Sequence, residues 1–484
     1  MIDKANVMGT KLKKSLGLLD ATLLVAGSMI GSGIFIVSTI MLRDIGSPAW
    51  LLVLWVLTGI ITIFAALSYG ELAGMMPNAG GQYIYIQRAY GRLTSFLYGW
   101  TVFSVIQTGV IAAVAVAFAK YSSIFFPVLN QNLLRTGFLD VSLAQVVAIG
   151  SIVFLTAMNT FGLQNGKWVQ LVFTFAKIFA LVGLIGLGFW FGSRMNFFTL
   201  NFKDAWSAFR MVKTGNVFHR ENLTGLSLLS ALGATLIFSL FSSDAWNNVT
   251  FIAGEIKNPK KNIPRSLFLG TLIVTIIYIL ANVAYLMLLP IQGNPNATNP
   301  IAQGIMFASN DRVGTSAAFS MFGNVGIWLM AGLIMISTFG CNNGLILAGS
   351  RLYYAMSKDG LFFKKAGQLN KHSVPSNALW IQCLWASLLC LSGKYSDLLT
   401  YSTFASLLFY ILTISGLFRL RRTEPLTERP YKAFGYPLVP ALYIVIATAI
   451  CINLFICDFR NSGAGLLLVL VGIPFYFFTR ARNS

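Results

Sequence analysis

Charge is scarce in this chain of 484 residues: only 10% of positions are Asp, Glu, Lys or Arg, less than half the roughly 25% of an ordinary soluble domain. Together with 56% hydrophobic residues and a mean hydropathy of +0.71, that shortage excludes a soluble globular class. Acids are rarer than bases, 15 against 35, which leaves a formal charge of +20. The bases stand at the ends of apolar segments and between them rather than in one groove-forming patch, so no nucleic acid partner is expected. Histidine is nearly absent; His219 and His372 both fall in polar loops, far from any cluster of ligands. With no His-Glu-x-x-His and no Ser-His pairing in the apolar segments, neither a metal, a cofactor nor an intramembrane enzyme is expected. The five cysteines, at 341, 383, 390, 451 and 457, lie within apolar segments and without paired spacing in an exposed loop. A disulfide framework is excluded.

What the chain has is apolar length. Runs close to the roughly 20 residues that cross a bilayer recur along nearly the whole chain, and no stretch between them is long enough for a soluble domain. Length and charged or proline breaks predict spans at 16–40, 49–76, 95–122, 141–161, 168–192, 226–254, 265–290, 322–355, 376–393, 397–419, 437–457 and 463–479, numbered one to twelve below. The expectation is an all-α polytopic membrane protein with one integral domain. Pro48, Pro77, Pro264, Pro290, Pro375 and Pro437 stand at or beside predicted ends, and Pro474 falls well inside a span, as suits a residue type that breaks helical hydrogen bonding and is kept to the ends. Residues 1–15 carry Lys4, Lys11, Lys13 and Lys14, but the apolar run after them is too long for a signal sequence and has no small-residue cleavage pattern. It is read as a retained first helix.

Cytoplasmic loops are enriched in Lys and Arg. The N-terminus and the loops on its side hold 23 such residues, against 11 on the other side. Both termini are therefore expected in the cytoplasm, as an even number of spans requires. Five of the contrary charges fall in one external loop, residues 193–225.

Two spans are interrupted by residues that suit a bilayer helix poorly. Span one contains Gly27-Ser28-Met29-Ile30-Gly31-Ser32-Gly33-Ile34-Phe35, and span six contains Ser239-Leu240-Phe241-Ser242-Ser243-Asp244-Ala245-Trp246-Asn247-Asn248. Unwound backbone is tolerated at membrane depth only where it faces protein or a cavity, and breaks at corresponding positions of two halves point to a binding site. Unwinding exposes N–H groups that bind anions and carbonyls that bind cations. A zwitterion such as an amino acid fits both: its carboxylate on the N–H groups of Ser32, Gly33 and Ile34, its ammonium near the carbonyls of Met29, Ile30, Phe241 and Ser242. Close helix packing through Gly27-xxx-Gly31 is the competing reading of the first break alone.

Four further residues carry chemistry in the spans. Asp244, costly in hydrocarbon by roughly 2.5–3.5 kcal/mol, is read as the N-cap of the outer half of span six, with contact to a substrate amine or a proton as its second role. Lys177, alone in the middle of span five, is expected to point into the bundle. There it would lie against carbonyls of the broken span one and the hydroxyls of Ser337 and Thr338, doing the work of a coupling cation; a fixed cross-link between helices is the plainer alternative. Phe241 is expected to close over the substrate and Trp246 to form a pocket wall, both against the ordinary packing role of aromatic rings.

These motifs have a family likeness. Gly31-Ser32-Gly33-Ile34-Phe35, Glu71-Leu72-Ala73-Gly74-Met75-Met76-Pro77-Asn78-Ala79-Gly80-Gly81-Gln82-Tyr83, Tyr90-Gly91, Trp246-Asn247, Gly254-Glu255-Ile256-Lys257-Asn258-Pro259, Gly349-Ser350-Arg351-Leu352-Tyr353-Tyr354-Ala355-Met356 and Arg429-Pro430-Tyr431-Lys432 resemble the amino acid–polyamine–organocation (APC) superfamily. Lys177 falls where the L-type amino acid transporter branch and its bacterial relatives carry a lysine in span five. The resemblance implies a five-plus-five inverted repeat, residues 16–192 and 226–419, with helices one and six broken and helices eleven and twelve (437–479) appended. It implies sodium-independent transport of L-amino acids by alternating access, by exchange or with a proton, and a cytoplasmic re-entrant segment from Gly80 to Tyr90. Gly31, Ser406, Glu71 and Arg351 complete the candidate set, the first two with the substrate and the last two, with Phe241, as gates.

Two departures matter. Asp244 stands where animal members of that branch carry glycine, so a cationic amino acid or polyamine remains an alternative to a neutral substrate. The segment from Lys120 to Asp140 has no cysteine, where animal members bond a heavy subunit, so no such partner is expected; a monomer or weak homo-oligomer is. Short loops fit a bacterial inner membrane, although Asn222-Leu223-Thr224 and Asn296-Ala297-Thr298 are formal glycosylation sequons. An ion channel is the alternative of another class, against which stands a single Gly-Ser-Gly run where filters usually repeat around a symmetric pore.

Overall fold

A computed structural model describes residues 14–135, 140–215, 217–392 and 395–481. Of the basic residues counted for orientation, Lys4, Lys11, Lys13, Lys394 and Arg482 lie outside the described residues, as does most of the 1–15 segment. The described chain is nearly all helix, with two small antiparallel hairpins, Asn132–Arg135 with Asp140–Ser142 and Phe209–Thr214 with Val217–Asn222. Among the described residues, ten helices are long and apolar enough to cross a membrane: Pro48–Met75, Arg92–Phe125, Leu143–Thr160, Gln170–Gly192, Gly225–Ser242, Pro259–Leu288, Asn324–Lys358, Tyr401–Thr423, Leu438–Cys457 and Phe459–Phe477. The protein is thus a multi-pass integral membrane protein.

Spans one and nine are shorter than a full crossing. Span nine is the helix Ser376–Ser392. Span one is divided into Leu18–Met29, a 3-10 turn Gly33–Phe35 and Val37–Ile45. Span six stops at Ser242 and resumes as a single turn, Asn248–Phe251. Both interruptions are where glycine, serine and asparagine replace the long apolar side chains that sustain a helix.

Local chemistry sets most of the other boundaries. Ser47 caps span two by accepting from Trp50 N–H at 3.2 Å, with Pro48 in the first helical position, where its missing N–H costs nothing. Span seven begins at Pro259 by the same device, six residues ahead of the expected start. Pro264 therefore lies inside that helix, a correction to its reading as an end marker. Span three contains a π-helical segment, Val102–Ile106, of the kind found at functional sites.

Leu18–Met29 packs against spans five, seven and eight, while span two lies along span seven and span eight along span three. The two interruptions are thereby brought face to face in the middle of the bundle.

Candidate functional site

Glycine makes the meeting of the two breaks possible. A Cβ on Gly33 would lie 2.2 Å from Ser242 Oγ and 2.8 Å from its Cβ, so no other residue allows spans one and six this close. Regular bonding in span one ends with Ile30 N–H on Ala26 O and resumes with Phe35 N–H on Ser32 O, 2.9 and 3.1 Å. Between them, the N–H groups of Gly31, Gly33 and Ile34 find no backbone acceptor among the described residues. In span six, Asp244 N–H returns to Phe241 O at 3.1 Å, and Ala245 takes a positive φ of 64°. The helix is broken there by a tight turn, at a conformation few non-glycine residues adopt.

Lys177 reaches the first break. Its Nζ donates to Gly27 O at 2.5 Å and Ile30 O at 2.8 Å, with Ser337 O at 3.4 Å, and the side chain is fully buried. The Ser337 hydroxyl donates to Ile30 O and Gly31 O at 3.4 and 3.3 Å instead of meeting the lysine. Thr338 is not part of this cluster: its hydroxyl returns to Ile334 O and Met335 O of its own helix. The ammonium is held by carbonyls, which is how a bound cation would be held. Cys341 adds a thiol donor to Ser28 O at 3.1 Å.

Sequence reasoning missed Tyr278. Its hydroxyl lies 3.0 Å from Met29 O and 3.1 Å from Ser242 O, bridging one exposed carbonyl from each break. A tyrosine in a long apolar span carries no signal that separates this role from packing.

Asp244 is not a helix cap. It follows the half of span six that begins at Gly225, and the next turn starts after Asn247; its carboxylate instead accepts from Tyr410 Oη at 2.5 Å and Ser406 Oγ at 3.4 Å. Tyr410 also reaches Asn247 Oδ1 at 3.4 Å, Asn247 donates to Gln82 Oε1 at 2.8 Å, and Tyr98 donates to the same oxygen at 2.9 Å. A polar chain thus runs from span ten through span six to Gln82 and span three. Gln82 and Asn247 lay within quoted motifs, yet nothing in their spacing showed that they meet. Trp246 is buried edge-on against Tyr69 at 4.7 Å and beside Tyr410 at 5.3 Å.

Two cavities flank Asp244, each of about 20 Å³, room for a water molecule and too little for an amino acid. Ser406 and Tyr410 line both; Trp246 lines the one toward span two, Gln82 and Asn247 the one toward span three. Phe241 is buried and lines neither. A substrate of amino acid size requires these elements to part.

Ion pairs stand at both ends of the bundle. On the side of Ile45, Arg43 pairs with Asp311, and Arg312 donates to Lys120 O at 2.7 Å. On the other side, Arg351 of span eight meets Glu255 at 3.1 Å, both virtually inaccessible to solvent. That pair uses one contact only: Arg351 Nη2 and Glu255 Oε2 are buried without a hydrogen-bond partner among the described residues. Glu71 is placed elsewhere, in a fork from Arg421 at 2.9 and 2.6 Å, with Arg429 at 3.2 Å and Ala433 N–H at 2.7 Å. At the surface nearby, Arg88 forks on Glu424 at 2.9 and 2.5 Å, and holds that carboxyl below its usual range.

Comparison with known sequences decides the family. The sequence pattern of the amino acid permease family matches residues 16–474, nearly the whole chain. The chain belongs to the amino acid permease family. This permease is 29% identical over 476 residues to the serine/threonine exchanger SteT of Bacillus subtilis (strain 168), covering 98% of both chains. It is 31% identical over 470 residues to large neutral amino acids transporter small subunit 2 of Mus musculus, covering 97% of this permease and 81% of that protein. Asc-type amino acid transporter 1 of Mus musculus is 28% identical over 469 residues, 96% of the permease and 81% of the relative.

Proposed function

We propose that this permease is a secondary active transporter of neutral L-amino acids, working by alternating access without sodium, as an exchanger or with a proton. The observation that carries the proposal is the Lys177 ammonium on the carbonyls of Gly27 and Ile30: a charge fixed within the chain occupies unwound backbone that would otherwise attract a metal cation. Relatives that exchange serine and threonine or carry large neutral amino acids support the same substrate class.

In this reading the substrate carboxylate binds the N–H groups of Ser32, Gly33 and Ile34, and its ammonium the carbonyls near Met29, Ile30, Phe241 and Ser242. Asp244 already has Tyr410 and Ser406 as donors, so its carboxylate needs no substrate cation, and a neutral side chain is favoured over a cationic one. Phe241 and Trp246 bound the side-chain end. The Arg351–Glu255 pair and the Glu71 fork close the cytoplasmic route and open in turn with the Arg43–Asp311 pair.

The architecture that goes with this function is one domain of twelve spans, a five-plus-five inverted repeat over 16–192 and 226–419, with 437–479 appended. Both termini face the cytoplasm of a bacterial inner membrane. No disulfide-linked heavy subunit is included, since the segment from Lys120 to Asp140 lacks cysteine. Counterflow of labelled serine, threonine, leucine and arginine in sodium-free proteoliposomes tests the proposal. Uptake of neutral amino acids is expected; a strict sodium requirement, uptake of arginine alone, or unitary currents would contradict it.

A further inference from the structure

At one end of the bundle, spans ten and eleven leave an open groove of about 480 Å³ lined by Ser415, Phe418, Arg419, Arg422, Thr423 and Ile444. The first five recur at helical spacing on the last turns of Tyr395–Thr423, so they form a single stripe. Ile444 faces them from Leu438–Cys457. Arg421, between the two groove arginines in sequence, turns to the opposite face and meets Glu71.

The charge in this groove is not neutralised by the protein. Each nearby carboxylate is engaged elsewhere: Glu71 by Arg421 and Arg429, Glu424 by Arg88, Glu428 by Lys260 at 2.8 Å. Among the described residues Arg419 and Arg422 have no carboxylate partner; Arg419 lies 5.4 Å from the ring of Tyr90, and both are exposed. The walls are apolar, Phe418 and Ile444, and continue into the outward side chains of Leu442 and Val445. Because one span ends at Thr423 and the next begins at Leu438, the arginines stand at the level where hydrocarbon gives way to headgroups.

We propose that this groove binds an anionic phospholipid, its phosphate forked by Arg419 and Arg422 and one acyl chain laid along Phe418 and Ile444. Guanidinium groups match phosphate oxygens in paired hydrogen bonds, and basic pockets between helices at a membrane face suit such headgroups. The hydroxyl of Ser415 supplies a further donor, while that of Thr423 already donates to Arg419 O at 3.2 Å. A soluble phosphate would use the arginines and leave the apolar walls without a role, whereas a lipid uses both. The site is separate from the broken helices and does not depend on which amino acid is carried.

The test uses the full-length purified protein, delipidated in detergent, with phosphatidylglycerol, phosphatidylcholine or inorganic phosphate added. Bound lipid is counted by native mass spectrometry, and melting temperature is followed in parallel. Phosphatidylglycerol is expected to be retained at least about tenfold better than phosphatidylcholine and to raise the melting temperature. Arg419→Gln with Arg422→Gln should abolish that difference while melting as the wild type does in phosphatidylcholine; Arg419→Lys with Arg422→Lys should keep a part of it. Equal retention of the two lipids, or unaltered phosphatidylglycerol retention in the glutamine variant, would overturn the proposal. Stabilisation by inorganic phosphate alone to the same extent would overturn the lipid assignment.

Discussion

Lys177 Nζ lies 2.8 Å from the carbonyl oxygen of Ile30, the last residue of the first half of span one to keep a helical hydrogen bond. This contact joins span five to the point where span one unwinds. It gives a buried charge the partners it needs in the low-dielectric interior, and it gives the freed carbonyls a donor.

Gly33→Ala brings a methyl group into the space of Ser242 Oγ, 2.2 Å away, and is expected to abolish transport while leaving insertion intact. Ser242→Gly in the same chain removes that obstacle and should restore part of the uptake. Initial rates in proteoliposomes for the single and double variants check both, since overpacking relieved at its partner is non-additive.

Tyr278→Phe removes one hydroxyl from between Met29 O and Ser242 O. A loss of roughly 0.5–1.5 kcal/mol in stability is expected for the hydrogen bonding forfeited, together with slower transport, read from thermal unfolding in detergent and from initial uptake rates in proteoliposomes.

Arg351→Met strands Glu255 as a buried carboxylate without its cation. A destabilisation of about 3–5 kcal/mol is expected for breaking one side of such a pair. Glu255→Gln combined with Arg351→Met removes both charges and should recover most of that loss, so the comparison of the two melting curves separates the pair from the packing of its side chains.

Asp244→Gly frees the Tyr410 hydroxyl and empties space between the two small cavities. The ratio of leucine to serine transport should rise by about tenfold or more, within the range a few contacts confer. Competition of unlabelled amino acids against labelled substrate measures the shift.

What could be read from the sequence followed from residues that are out of place in a bilayer. Gly31, Ser32 and Gly33 weaken a helix whatever surrounds them, and Lys177 has few options at mid-span, so both were visible without a fold. Partner choice was not. Glu71 and Arg351 stand in separate motifs, and only packing shows that one meets Arg421 and the other Glu255. Asp244 was misread as a cap because a carboxylate beside a break suits a free N–H group, and its true partners, Tyr410 and Ser406, lie over 160 positions away. Tyr278 and Tyr98 were hidden by their type: an aromatic ring in an apolar span reads as packing until its hydroxyl is placed. The start of span seven was missed because Pro264 suggested an end, whereas Pro259 begins the helix.

Counterflow of a labelled neutral amino acid into sodium-free proteoliposomes, wild type beside Lys177→Ala, tests the central claim most directly. The account predicts uptake by the wild type that is indifferent to sodium, and a fall of at least about tenfold in Lys177→Ala, the scale set by leaving buried carbonyls without a donor. Wild-type rates retained by Lys177→Ala in the absence of sodium would contradict it.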